Sequence, residues 1–271
     1  MDAQEAVRAG DLDQALTQLQ GEVRRRPADA RLRIFLFQLL CVRGEWDRAL
    51  TQLNVAGELD AGALLMVQTY REALRCEVYR AAVFAGKRMP MSLGEPDPWF
   101  APLVQSLSVA ADGRAADAAS LRQTAYDDAP AITGSLNGEP FEWIADGDAR
   151  MGPCLELIIS GRYYWVPFHR LHSIVMEAPA DLRDFVWMPA QLTWANGGEA
   201  VALIPSRYPG SEAAPDPALR LARLTEWREQ SEGAYFGVGQ RVFITDGGET
   251  GLLDARRIEL HSSDDAQPAV V

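Results

Sequence analysis

Two ten-residue stretches of this chain are near copies, offset by 34 residues. Gly10–Leu19 reads GDLDQALTQL and Gly44–Leu53 reads GEWDRALTQL, identical at seven of ten positions. A period of this length implies a supersecondary unit stacked on copies of itself, because a single unit cannot bury its own apolar face. Leu12, Leu16 and Leu19 recur at i, i+4 and i+7, as do Trp46, Leu50 and Leu53, which is the spacing of one helical face. Gly10 and Gly44 break the preceding helix, and Ala15 and Ala49 are small enough for paired helices to approach closely.

The 34-residue period is that of the tetratricopeptide class of helix–turn–helix repeats. A looser copy, GRAADAASL, begins at Gly113, which lies 69 residues after Gly44, two periods plus one. Between the copies, Ala30–Arg43 predicts a helix that is apolar nearly all round and therefore sandwiched between neighbours. Ala61–Phe84 predicts a longer helix, and Pro27 ends the helix that carries Arg24, Arg25 and Arg26. Gly86–Pro98 holds three prolines and two glycines and reads as a loop, either functional or a plain extended connection. Residues 1–130 are thus expected to form a tetratricopeptide-like helical domain.

After Pro130 the pattern changes to short runs rich in Val, Ile, Tyr, Phe and Trp. Strands are predicted at Leu155–Ile159, Arg162–Val166, Ser173–Met176, Phe185–Trp187, Ala200–Ile204 and Arg241–Thr245. Gly134–Pro140 reads as a turn-rich stretch, and Asn196-Gly197-Gly198 is a strong turn signal. Residues 131–262 are expected to form a β-rich domain with one or two short helices, and residues 263–271 a flexible tail by composition. The fold class is α+β.

Charge narrows the partners. The 38 acidic and 26 basic residues of the 271 leave a net charge of -12, a field that repels phosphate backbones and anionic lipid. Arg24-Arg25-Arg26, the tightest basic run, suits the cationic end of a helix. Nucleic acid and membrane are therefore not expected as partners. Cys41, Cys76 and Cys154 are sparse, odd in number and form no CxxC pair, which fits buried thiols in a reducing compartment. The opening residues carry no basic n-region and no apolar h-region, so a soluble cytoplasmic protein is expected.

No catalytic constellation is legible. FEWIADGDAR places Asp146 and Asp148 two apart with Glu142 nearby. The pair could meet a hard cation, or could close an Asp-Gly-Asp turn and pair with Arg150. Cys154, His169 and His172 could supply three zinc ligands or a Cys–His nucleophile, but nothing supplies a fourth ligand or marks the thiol as activated. GxSxG, GxxxxGK[ST] and GxGxxG are absent, and the two glycines of Gly237-Val238-Gly239 read as a bend before a strand. Helical repeats present concave surfaces to peptides or helices, so the residues by themselves read as a protein-binding adaptor without cofactor or metal.

One string is more specific: FEWIADGDARMGPCLELIISGRYYWVPFHRL, then DLRDFVWMPAQLTW, LIPSRYPGSE, LRLARLTEW, GVGQRVFIT and LLDARRIEL. In this succession the chain resembles the ImpE family, also called TagJ or SciE-type, accessory components of bacterial type VI secretion systems. The resemblance implies a non-enzymatic protein with a tetratricopeptide-like part followed by an α/β part. It implies binding to the contractile sheath through the N-terminal helix of the small subunit TssB, and a link to the ClpV ATPase that disassembles contracted sheaths. The other readings are a scaffold for different secretion-system partners and an enzyme using the Asp146/Asp148 region. The family carries no catalytic residues to transfer. Within its motifs, Asp146, Asp148, Arg150, Arg183 and Asp184 are candidates for a structural charge network. Arg207 and Tyr208 could join that network or the partner surface, and Trp165, Trp187 and Trp227 could line a groove for an amphipathic helix. Alternatively the tryptophans are core, or the helical half alone holds the sheath peptide in its concave face.

Overall fold

Gly10, Gly44 and Gly113 occupy the same structural position in three helix pairs. All three take left-handed backbone, with φ of 83°, 71° and 79°, which costs glycine little and closes the helix before it. In the computed structural model, which describes residues 2–231 and 233–261, the pairs are α1 (Ala3–Ala9) with α2 (Leu12–Arg25), α3 (Ala30–Val42) with α4 (Trp46–Leu59), and α6 (Phe100–Ala111) with α7 (Ala115–Asp128). In each pair the second helix starts two residues after the glycine. The alanine five residues after the glycine, Ala15, Ala49 or Ala118, is fully buried. The degenerate third copy therefore keeps the geometry of the first two although most of its side chains have changed.

The long helix α5 (Leu64–Phe84) joins the second pair to the rest, and its expected first turn is a separate 3-10 turn, Ala61–Ala63. The side chain of Asp60 accepts from the Gly62 N–H at 2.8 Å and holds that turn. α3 is buried along Leu36–Val42, as its all-round apolar character requires. The segment 86–98 is an extended connection pinned to the strand half. The Trp165 N–H donates to the Met91 carbonyl at 3.0 Å, and Arg170 donates to the carbonyls of Leu93 and Glu95 and to Asp97.

Beyond residue 130 the chain forms β1 (Thr133–Leu136), β2 (Glu139–Phe141), β3 (Ile144–Asp146), β4 (Cys154–Ile159), β5 (Arg162–Pro167), β6 (Leu171–Val175), β7 (Trp187–Trp194), β8 (Glu199–Pro205), the short α8 (Pro217–Arg220), β9 (Thr225–Ser231), β10 (Ala234–Gly239), β11 (Val242–Thr245), β12 (Gly248–Gly251) and β13 (Arg257–His261). The main sheet runs β2-β1-β13-β6-β7-β8-β4-β5, with β12-β11-β3 and β10-β9 as smaller sheets.

Three local expectations are corrected. Phe185–Trp187 is not a strand of its own. Asp184 accepts from the Ala180 and Asp181 N–H groups and closes a 3-10 turn over Leu182–Phe185, and the strand begins only at Trp187. The turn-rich Gly134–Pro140 contains two short strands joined through Asn137 and Gly138, at φ of 53° and 90°. Gly237-Val238-Gly239 lies inside β10 rather than in a bend. A Cβ on Gly237 would stand 2.1 Å from the Tyr208 ring, so close ring approach is the reason for glycine there. The expected tail, 263–271, lies outside the described residues.

The core does not stop at residue 130. One cluster unites Leu19, Leu40, Leu53 and Leu74 of the helices with Cys154, Ile158, Trp165 and Trp187 of the strands. A second cluster, including Leu155, Leu157, Tyr164 and Val166, lies on the opposite face of β4 and β5. β4 is therefore buried on both faces, and CLELII reads as an unbroken apolar run apart from Glu156.

Candidate functional site

Glu156 stands where an apolar residue would be expected, and the surrounding elements supply its partners. From α5, Arg80 donates to it through Nε at 2.6 Å and Nη2 at 2.9 Å. Arg241, the residue before β11, pairs with Glu156 through one nitrogen and with Asp146 of β3 through another. The Arg241 Nε donates to the Pro205 carbonyl at 2.9 Å. The Tyr163 hydroxyl donates to Glu156 and accepts from the Trp165 indole N–H at 2.7 Å. On α5, Glu77 lies 3.4 Å from Arg80 and accepts the Trp187 indole N–H at 2.7 Å.

Arg207 is buried with carbonyls as its hydrogen-bond partners: Val42 at 2.7 Å and Cys41 at 3.2 Å at the end of α3, and Arg220 at 2.6 Å at the end of α8. A guanidinium at two helix C-termini neutralises their partial negative charge and takes up orphaned acceptors. The whole set balances: Glu77, Asp146 and Glu156 against Arg80, Arg207 and Arg241, each at most 7% exposed.

A second node adjoins this one. Asp148 accepts from the Arg150 N–H, Nε and Nη2 and from the Gly237 N–H, at 2.5–2.9 Å. The Arg150 guanidinium lies between the Phe84 and Phe236 rings, 4.8 and 4.4 Å from their centroids. Asp146 accepts the Asp148 N–H at 2.9 Å and the Tyr208 hydroxyl at 3.0 Å. Asp146, Asp148, Arg150 and Tyr208 are thus brought together, with Arg207 next to them. Arg183 and Asp184 lie apart in the 182–185 turn, where Arg183 pairs with Asp181 at 3.0 Å.

Burial tunes these acids in opposite senses. Burial raises the Asp146 carboxyl to about 6, with Arg241 pulling it back down. Burial likewise pushes Glu156 up, but Arg80 and Arg241 together outweigh it and hold the carboxyl at about 2. Burial raises Glu77, with Arg80 and the Trp187 N–H opposing.

The tryptophans nominated for a partner groove sit elsewhere. Trp165 and Trp187 are fully buried, so neither is offered at the surface. Trp187 fills the space between Trp46 and Tyr70, at centroid distances of 6.0 and 5.8 Å, with Phe37 behind Tyr70. The strand half thereby seats Trp187 among aromatic side chains of α4 and α5. Arg207 and Tyr208 are buried as well, and Trp227 is half-buried against the Tyr208 ring at 5.6 Å.

The carboxylates of Asp146 and Asp148 face guanidinium groups and N–H donors. Among the described residues no three His, Cys, Asp or Glu side chains are gathered to hold a metal ion. Burial pushes the Cys154 thiol well up, away from the thiolate a nucleophile requires. His169 lies 3.5 Å from Asp97 instead. Sequence reading missed Glu77, Arg80, Glu156 and Arg241. Glu156 within CLELII was the one local signal, since a lone acid in a doubly buried strand must find a cation.

Comparison with known proteins agrees with this architecture. The model of the family described as ImpE protein matches residues 138–259. The type VI secretion system accessory component TagJ of Pseudomonas aeruginosa is 53% identical over 264 residues, 97% of this chain and 92% of that protein. The crystal structure of protein VPA1032 from Vibrio parahaemolyticus superposes with a TM-score of 0.87 at 23% identity, over 96% of this chain and 97% of that one, a likeness of fold. On the identity and coverage shared with the Pseudomonas protein, the chain belongs to the ImpE family.

Proposed function

We propose that the chain is a non-enzymatic adaptor of a bacterial type VI secretion system. It acts in the cytoplasm, binds the N-terminal helix of the small sheath subunit TssB, and is linked through the sheath to ClpV-dependent disassembly. The observation that carries this reading is the 53% identity, over nearly the whole chain, to a type VI accessory component. The site supports it from the chemical side. The carboxylates of Glu77, Asp146, Asp148 and Glu156 and the guanidiniums of Arg80, Arg150, Arg207 and Arg241 are engaged with one another and with neighbouring backbone and side-chain groups, which suits rigidity between two structural halves better than proton transfer to a substrate. The enclosure of Trp165 and Trp187 supports a partner surface made of other, exposed residues.

The test is a calorimetric titration of the full chain with a peptide spanning the N-terminal helix of its cognate TssB. Binding with a dissociation constant on the order of micromolar is expected for a helix seated in a groove. No binding by a peptide that forms its helix overturns the TssB assignment. Co-purification with ClpV from cells lacking TssB would instead favour a scaffold for other components.

A further inference from the structure

A groove of about 290 Å³ opens on the surface of the repeats, where α2, α3 and α4 meet. Its floor is apolar, made by Val23, Leu36 and Leu40, each at most 7% exposed. Its rim is basic: Arg24 comes from α2, Arg33 from α3 and Arg48 from α4, and no Asp or Glu lines the groove. In a chain with 38 acidic against 26 basic residues, three guanidiniums around one groove with no lining carboxylate run against the composition.

Local structure accounts for only part of this charge. Arg24 lies in the last turn of α2, where a cation complements the macrodipole. Arg33 is the fourth residue of α3 and Arg48 the third of α4, positions at which a cation opposes it. Arg24 is exposed and meets no carboxylate among the described residues. Arg33 donates to neutral acceptors, the Gln52 Oε1 at 2.8 Å and the Pro27 carbonyl at 3.2 Å. Arg48 uses one nitrogen on Glu45 and keeps half of its side chain in solvent. The floor and the rim together select the occupant. A small inorganic anion would leave the apolar floor uncovered, and a long polyanion would meet the field of the whole chain, whose net charge is -12. A segment with an apolar side chain flanked by Asp or Glu covers the floor and brings carboxylates to the guanidiniums.

We propose that this groove is a docking site for an acidic amphipathic segment of a partner protein: an apolar side chain enters against Val23, Leu36 and Leu40, and Asp or Glu side chains flanking it pair with Arg24, Arg33 and Arg48. The site goes beyond the sheath-peptide reading and does not depend on it, so the failure of either leaves the other standing. It also gives Arg33 and Arg48 the anion that their places at two helix N-termini call for.

The probe is a synthetic amphipathic helix of about 15 residues, with a leucine stripe and glutamate on its other faces. It is titrated into the full chain and compared with the same peptide carrying glutamine in place of glutamate. The glutamate peptide is expected to bind about tenfold more tightly than the glutamine peptide, against the net repulsion from the chain. The double variant R24Q/R48Q is expected to weaken it about tenfold, and R88Q, at an exposed arginine outside the groove, by less than about twofold. Thermal melting of both variants is expected to match the wild type, so that a loss of binding reads the groove and not the fold. Equal affinity for the two peptides, no saturable binding of the glutamate peptide, or undiminished binding by R24Q/R48Q overturns the proposal. Displacement of the glutamate peptide by an equal concentration of pyrophosphate would mark a site for small anions and also overturns it.

Discussion

Arg80 and Glu156 are 76 residues apart in the chain and meet in a two-point ion pair, with no solvent reaching the carboxylate. The pair joins α5 to β4, so the helical repeats and the sheet share one buried charge as well as one apolar cluster. Removing one partner leaves the other charged in a dry interior. R80M and E156Q are each expected to destabilise the protein by about 3–5 kcal/mol, whereas the double variant should recover part of the loss. Urea denaturation of all three checks this. Additive losses would show that the two side chains are not coupled.

Acid should expose the same contact. Glu156 is held at about 2 against an ordinary value of 4.5, so the unfolded chain takes up the proton first. Its stabilisation is fully present above pH 4.5 and is lost as pH falls from 4.5 toward 2, about 3 kcal/mol in all. Asp146, raised from 3.8 to about 6, works in the opposite sense and adds stability as pH falls from 6 toward 4. Melting temperature should therefore hold or rise slightly down to about pH 4.5 and drop below it. In E156Q the drop below pH 4.5 should be smaller, and an equal drop would remove Glu156 as its cause.

Trp187 is expected to be intolerant even of a change that keeps an aromatic ring. W187F keeps a ring between Trp46 and Tyr70 but removes the N–H that Glu77 accepts at 2.7 Å. The Glu77 oxygen that faced the indole loses its donor while the other keeps Arg80, and a buried acceptor left unmet should cost about 1–3 kcal/mol. W187F/E77Q should recover part of that, measured by thermal melts.

The three repeat glycines should differ. An alanine at Gly113 meets open space, so G113A is charged only for its left-handed backbone, about 1–2 kcal/mol. At Gly44 the added carbon would lie 2.5 Å from the Glu212 side chain of the other half, so G44A should be the more damaging. Equal losses in chemical denaturation would mean that Glu212 yields freely.

A fragment ending at residue 130 would expose Trp46 and Tyr70 where Trp187 is now seated. Such a fragment should bind hydrophobic dyes and lack a cooperative melt. A sharp transition in the isolated fragment would show that the repeats do not need the sheet.

What was legible in the sequence was local. The period of 34, the glycine-to-helix spacing, the all-round apolar α3 and most of the strand runs follow from side-chain pattern within a few turns of chain. Even the degenerate copy at Gly113 was visible, because a left-handed closing residue and a small buried residue are demands of local geometry. The Asp-Gly-Asp turn and its Arg150 were readable for the same reason. The tertiary structure decided which charges met. Arg80 finds Glu156, Arg241 joins Asp146 to it, and Arg207 closes two helices distant in the chain, contacts whose sequence separation leaves no periodic trace. It also decided that Trp165 and Trp187 are interior. An amphipathic aromatic has the same pattern on a binding face and on a face that binds the rest of its own chain, and only the packing of the two halves distinguishes them.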